Sequence, residues 1–108
     1  MSVTTFGWTI ENNFPEADFW LINQGSTKSL GKPVKDFEPF LTGILCPALI
    51  YPPYGFYICE YFHLHEIWHQ YSHGVTDLQS LRISDIRQVF REVAKNHRQQ
   101  KQFITIRA

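Results

Sequence analysis

After Pro52-Pro53, large apolar side chains recur at Tyr57, Tyr61, Leu64, Trp68 and Tyr71, at intervals of four, three, four and three residues. An α-helix turns once per about 3.6 residues, so this spacing gathers all five on one stripe. It predicts a helix over 54–71 whose Tyr/Leu/Trp stripe faces the core. Ile58, Phe62, His65 and His69 form a second, mixed stripe on the opposite side, so the helix is expected to lie between layers. Gly74 supplies a natural C-terminal stop.

A second helix is expected over 85–101. Ser84 is a suitable N-cap, Asp85 lies in the first turn, and Ile86, Val89, Phe90, Val93, Ala94 and His97 share one face. Strand signals surround these helices. Val3–Ile10 is rich in β-branched and aromatic residues and reads as one strand with Gly7 as a bulge, ended by Glu11-Asn12-Asn13-Phe14-Pro15. Phe19–Ile22 is a short apolar strand. It opens into a polar loop carrying Gly25, Lys28, Gly31, Lys32, Pro33 and Lys35, long enough to be functional rather than connective. Gly43–Tyr51 contains Pro47, which cannot donate to a ladder, so it is expected at a sheet edge or as two pieces. Leu81-Arg82-Ile83 and Phe103–Ile106 complete the strand candidates. The fold class expected is α+β: a small, mainly antiparallel sheet of four or five strands packed against two helices.

The 108 residues suffice for one domain with one modest core. Apolar residues make up 44% and aromatics 16% of the chain, more than a disordered chain carries. Cys46 and Cys59 are thirteen residues apart inside apolar runs, which reads as two free thiols in a reducing compartment. No apolar run approaches the roughly 20 residues of a membrane span, and no signal-like start is seen, so a soluble cytoplasmic protein without membrane association is expected. The net charge is zero but unevenly placed: residues 1–81 hold three lysines against eight acids, and residues 82–108 hold seven bases against two acids. Such asymmetry points to a directional electrostatic surface or to two halves that pair with each other.

His65-Glu66-Ile67-Trp68-His69 is a literal H-E-x-x-H string. On a helix it sets two imidazoles on one face, where both can bind one zinc ion while Glu66 acts as the general base on a metal-bound water. Over these five residues it resembles the zincin metalloprotease signature, which implies His65 and His69 as metal ligands. Trp68 stands where that family has a small residue, and Ser72 stands where the extended form has glycine. A third ligand is needed. His73 is eight residues from His65, about 12 Å along a helix axis and too far, whereas Glu92 lies in the right downstream range beside Lys95. The alternative without metal is that His63, His65 and His69 are half-buried polar tips, each with a backbone or carboxylate partner, and Glu66 faces solvent.

From Tyr51 to Val89 the chain runs through a proline turn, an aromatic helix with a Trp near its end, Gly74, Thr76-Asp77-Leu78-Gln79, Leu81-Arg82-Ile83 and a Ser84-Asp85-Ile86 helix start. This order resembles the C-terminal part of the DNA target-recognition domains of type I restriction-modification specificity subunits. The resemblance implies a DNA-facing loop at Gly25-Ser26 and Gly31-Lys32-Pro33. Arg87-Gln88-Val89-Phe90 departs from it, standing where the family has a P-P-x-x-E-Q entry into a spacer helix. Independently, Arg87, Arg91, Lys95 and Arg98 fall on one face of the second helix, with Arg82 and Lys101 at its ends. Cations a turn apart can follow a phosphate backbone, and arginine forks suit phosphate or guanine; a solvated helix face is the plain alternative.

These features read together as a small non-enzymatic binding module, with DNA recognition through Arg82, Arg87, Arg91, Lys95 and Arg98 as the specific expectation and no cofactor. A zinc-dependent hydrolase using His65, His69 and Glu66 is the alternative. A protein-interaction or dimerising domain using Phe6, Trp8, Phe19 and Trp20 is the third.

Overall fold

In an extended strand, alternate side chains point to opposite faces, so Trp8-Thr9-Ile10 and Phe19-Trp20-Leu21 each offer two apolar side chains to one layer. The computed structural model describes residues 4–5, 7–75 and 78–99. In chain order the elements are β1 (Thr4–Thr5), β2 (Trp8–Asn12), β3 (Phe19–Leu21), β4 (Gln24–Gly25), β5 (Pro33–Val34), β6 (Thr42–Leu45) and α1 (Pro52–Leu64). A 3₁₀ helix (Ile67–Tyr71), β7 (His73–Val75), β8 (Leu78–Ser80) and α2 (Ile83–Gln99) follow.

The fold is the expected α+β arrangement with a second sheet added. Five antiparallel strands lie in the order β1-β2-β6-β3-β5, and three more in the order β4-β8-β7. Ile10, Ile44 and Phe19 sit in one cross-strand row, and with Trp8 and Leu21 they are essentially inaccessible to water. Both helices cover this face. Phe90 of α2 lies 4.7 Å from the Trp8 ring and 6.2 Å from Phe62 of α1, while Phe56 of α1 meets Phe19 edge-on at 5.5 Å. Trp20 points to the other face, where its Nε1 donates to the Phe14 carbonyl (2.8 Å) and its ring lies beside Phe37.

Several boundaries differ from the sequence expectation. The first strand is a hairpin, since Gly7 (φ +91°) turns the chain and sets Thr5 opposite Trp8. The Pro47 segment holds the central strand rather than an edge, because β6 ends at Leu45 before proline can interrupt the ladder. Leu81-Arg82-Ile83 follows β8 instead of forming a strand. α2 starts at Ile83, so Ser84 lies inside the first turn rather than at the N-cap; Asp85, the third helical residue, reaches back with its carboxylate to accept the Arg82 backbone N–H at 3.0 Å, half of a capping box. The strand expected at Phe103–Ile106 and the helix beyond Gln99 lie outside the described residues. Among the described residues no helix is long and apolar enough to cross a membrane.

The largest departure is the helix expected over 54–71. α1 stops at Leu64, and Glu66 takes a left-handed conformation (φ +56°, ψ +32°) before the 3₁₀ helix begins. Neither glycine nor proline marks this stop; Trp68 explains it. On an unbroken helix Trp68 would share the stripe of Tyr57, Tyr61 and Leu64. That stripe faces water: Tyr57 is 60%, Tyr61 51% and Leu64 76% exposed. Breaking the helix swings Trp68 inward to 1% exposure, beside Phe62. Burying an indole removes about 150–250 Å² from water, roughly 4–6 kcal/mol, against about 1–2 kcal/mol for one left-handed residue. Burial therefore outweighs continuity of the helix.

The face of α1 that meets the sheet is the opposite one, with Gly55, Cys59 and Phe62 buried and Phe56 and Ile58 packed beside them. It is chosen by closeness. A Cβ on Gly55 would stand 2.5 Å from the Cys46 sulfur, so at this point the helix can approach the sheet only through a glycine.

Gly31 is the seat for Trp68. It has φ +81°, and a Cβ there would overlap the indole ring itself. Gly31→Ala is expected to destabilise the protein by about 3 kcal/mol or more, since backbone strain and a clash with a buried ring act together. Urea unfolding measures this; a loss below about 1 kcal/mol would mean that the indole is not held against that backbone.

Candidate functional site

The break at Glu66 divides the H-E-x-x-H string between two elements. His65 is the C-cap of α1, exposed, with its ring 4.1 Å from Tyr61 and inclined by 31°. His69 belongs to the 3₁₀ helix, with Nδ1 3.9 Å from the Glu66 carboxylate. The one-face geometry that four-residue spacing provides on a continuous helix is therefore absent. Among the described residues no group of three His, Cys, Asp or Glu side chains converges as a metal site. His73 is instead bonded to the Asp85 carboxylate at 3.0 Å, and Glu92 is exposed on α2.

The same break builds a different grouping. Between the turn after β4 and the end of α1 lies a cleft of about 690 Å³, lined by Ser26, Thr27, Lys28, His63, Leu64, Glu66 and His69. His63, rather than His65, lines this cleft with His69. Its Nδ1 lies 3.3 Å from the Leu30 carbonyl. A carbonyl only accepts, so Nδ1 carries the proton and Nε2 is left for another partner. The turn is held from within. Ser26 Oγ and Ser29 Oγ are 3.1 Å apart, Ser29 Oγ donates to the Ser26 carbonyl at 3.2 Å, and the Leu30 amide donates to the same carbonyl at 3.1 Å. Sequence reasoning missed Ser26, Lys28 and His63 as one group, because nothing local to 26–28 announces contact with the end of α1.

The basic residues of the chain's second half do not form one uniform surface. Arg87 is held inside the fold: Nη2 donates to the Ile10 carbonyl and to the Glu11 carboxylate, both at 2.8 Å, tying α2 to β2. Arg82 precedes the helix and is nine residues from Arg91, which at about 100° per residue leaves the two half a turn out of phase. Arg82 and Arg91 are exposed. Lys95 and Arg98 belong to the backbone of α2, and their side chains lie outside the described residues, as does Lys101.

The aromatics expected to be free are not. Trp8 (2%), Phe19 (1%) and Trp20 (7%) are core, and the side chain of Phe6 is outside the described residues. The exposed aromatics are those expected inside, on α1. Both cysteines are free thiols. Burial, then the Asp18 charge and its hydrogen bond, push the Cys46 thiol up to about 12, and burial raises Cys59 well above the ordinary range.

No protein-family model, curated protein or solved structure matches this chain.

Arg87→Ala leaves the Ile10 carbonyl without its donor and Glu11 without its counter-ion, and should cost about 2 kcal/mol in urea unfolding. Arg91→Ala, at an exposed position, should change stability by less than about 0.5 kcal/mol. Equal effects would show that Arg87 is no clamp. Because a raised pKa leaves the neutral thiol, Cys46 should react with iodoacetamide at pH 8 at least about tenfold more slowly in the folded than in the unfolded protein. Asp18→Asn, which removes the nearby negative charge, should accelerate it.

Proposed function

We propose that this protein is a small interaction module that pairs with a second copy of itself through the outward face of α1. The observation carrying this is the exposure of Tyr57, Tyr61 and Leu64 at i, i+4 and i+7, with Tyr51 also exposed (74%) at the start of the helix. α1 holds a single ionised residue, Glu60, in thirteen. A helix face meant for water carries charges, as α2 does. One meant for another protein is enriched in tyrosine and depleted of charge. A twofold contact sets a surface against itself, so this face, whose one charge is Glu60 at its edge, meets its copy with less like-charge repulsion than the arginine-bearing face of α2 would.

The test is mass against concentration by analytical ultracentrifugation. The wild-type chain should form dimers at concentrations below about 1 mM, and Tyr57→Glu with Tyr61→Glu should weaken association at least about tenfold while leaving the thermal midpoint nearly unchanged. A wild-type chain that stays monomeric to that concentration sinks the reading. DNA recognition through α2 is the lesser reading, because Arg87 is engaged with Glu11 and Arg82 lies off the line of Arg91. Its mark would be duplex binding that falls steeply with salt and is lost in Arg91→Ala. The hydrolase reading has no described ligand set to build on.

A further inference from the structure

We propose that the cleft between the 26–29 turn and the end of α1 is a binding site for a phosphate group, contacted by Lys28, His63 and His69. The site borders the pairing face of α1 at Leu64, but its three nitrogen-bearing residues lie outside that face and it does not depend on the pairing. Its volume is about 690 Å³. Small-molecule sites span roughly 300–1000 Å³, so a phosphomonoester fits.

Three segments each bring one nitrogen-bearing residue to the lining of the cleft. Lys28 is a cation on a turn made rigid by Ser26 and Ser29, so the charge is carried on a fixed base rather than on a loose loop. His63 is anchored by its Nδ1–H to the Leu30 carbonyl. That leaves Nε2 as a lone pair in the neutral ring and as an N–H in the protonated ring. His69 has Nδ1 toward Glu66, leaving its Nε2 for a ligand.

The chemistry of these groups separates phosphate from other anions. Near neutral pH, monohydrogen phosphate and phosphomonoesters carry both P–O⁻ acceptors and, because their second ionisation lies near about pH 6 to 7, a P–OH donor in part of the population. They can answer either protonation state of His63 Nε2 while still pairing with Lys28. A carboxylate or sulfate is acceptor only, and suits only the protonated ring. Glu66 is the one opposing charge among the residues lining the cleft. Its side chain is 71% exposed. Water and salt therefore weaken its repulsion of an anion. Leu64, 76% exposed, adds an apolar wall on which the organic part of a phosphomonoester can rest.

The experiment is titration of the full chain with inorganic phosphate, sulfate and phenyl phosphate, followed by backbone-amide and histidine-ring NMR shifts. Phosphate should saturate the His63, His69 and Lys28 signals with a dissociation constant of about 1 mM, and sulfate should bind several-fold more weakly. Tighter binding of phenyl phosphate would assign an organic phosphomonoester as the ligand, and equal binding would assign free phosphate; either supports the site. Lys28→Met should weaken phosphate at least about tenfold, and Glu66→Gln should tighten it. Neither change touches a buried group, so both proteins should melt as the wild type does. Unsaturable shifts, sulfate binding as tightly as phosphate, unchanged affinity in Lys28→Met, or weaker binding in Glu66→Gln would each overturn the proposal, the last by marking a cation site. Loss of dimerisation in the α1 variants leaves these titrations unaltered.

Discussion

The seating of Trp68 against Gly31 is the contact on which the rest of the structure depends. The indole is a large, mainly apolar ring that must leave water, and Gly31 offers it a stretch of backbone with no Cβ to resist it. Reaching that seat requires a left-handed residue at Glu66, which no glycine eases. It also leaves Trp68 Nε1 buried with no hydrogen-bond partner among the described residues. The apolar area buried outweighs the local strain, so the chain breaks its best helix to place its largest side chain.

The two surfaces with functional promise follow from that break. With Trp68 turned inward, the tyrosines and leucine that share its period are left outside. The sheet takes the narrow face of Gly55, Cys59 and Phe62, where the backbone approaches the Cys46 sulfur. The change of direction after Leu64 also places Glu66 and His69 in the lining of one cleft with His63 and with Lys28 of the turn after β4. A mainly apolar helix face, with Glu60 at its edge, and a polar cleft thus share a border at Leu64.

Charge is arranged on the same principle of engagement by neighbours. The acidic and basic halves of the sequence do pair, at least through Arg87, which holds Glu11 and the Ile10 carbonyl across the α2–β2 contact. A residue that looks like one of a row of phosphate-seeking arginines instead joins two elements. His73 and Asp85 make a second such tie, between β7 and the start of α2.

What the sequence determined by itself is local in origin. The β-prone run ending in Trp8–Ile10, the short apolar run at Phe19–Leu21, the apolar face of Ile86, Val89 and Phe90, and the Pro52-Pro53 start of α1 follow from side-chain preference and backbone restriction, and the α+β class could be read from them. Which stripe of α1 is buried could not be read, because Tyr57/Tyr61/Leu64 and Gly55/Cys59/Phe62 have equally good helical periods. Spacing counts apolar residues; it does not know how near the sheet comes. The tertiary structure decided that question through the closeness of Gly55 to Cys46 and of Trp68 to Gly31, and by doing so it undid the H-E-x-x-H geometry. His65 went to the surface beside Tyr61, and His63 came to line the cleft with His69 and Lys28, since contacts between residues some thirty to forty positions apart are set by packing and not by any pattern along the chain.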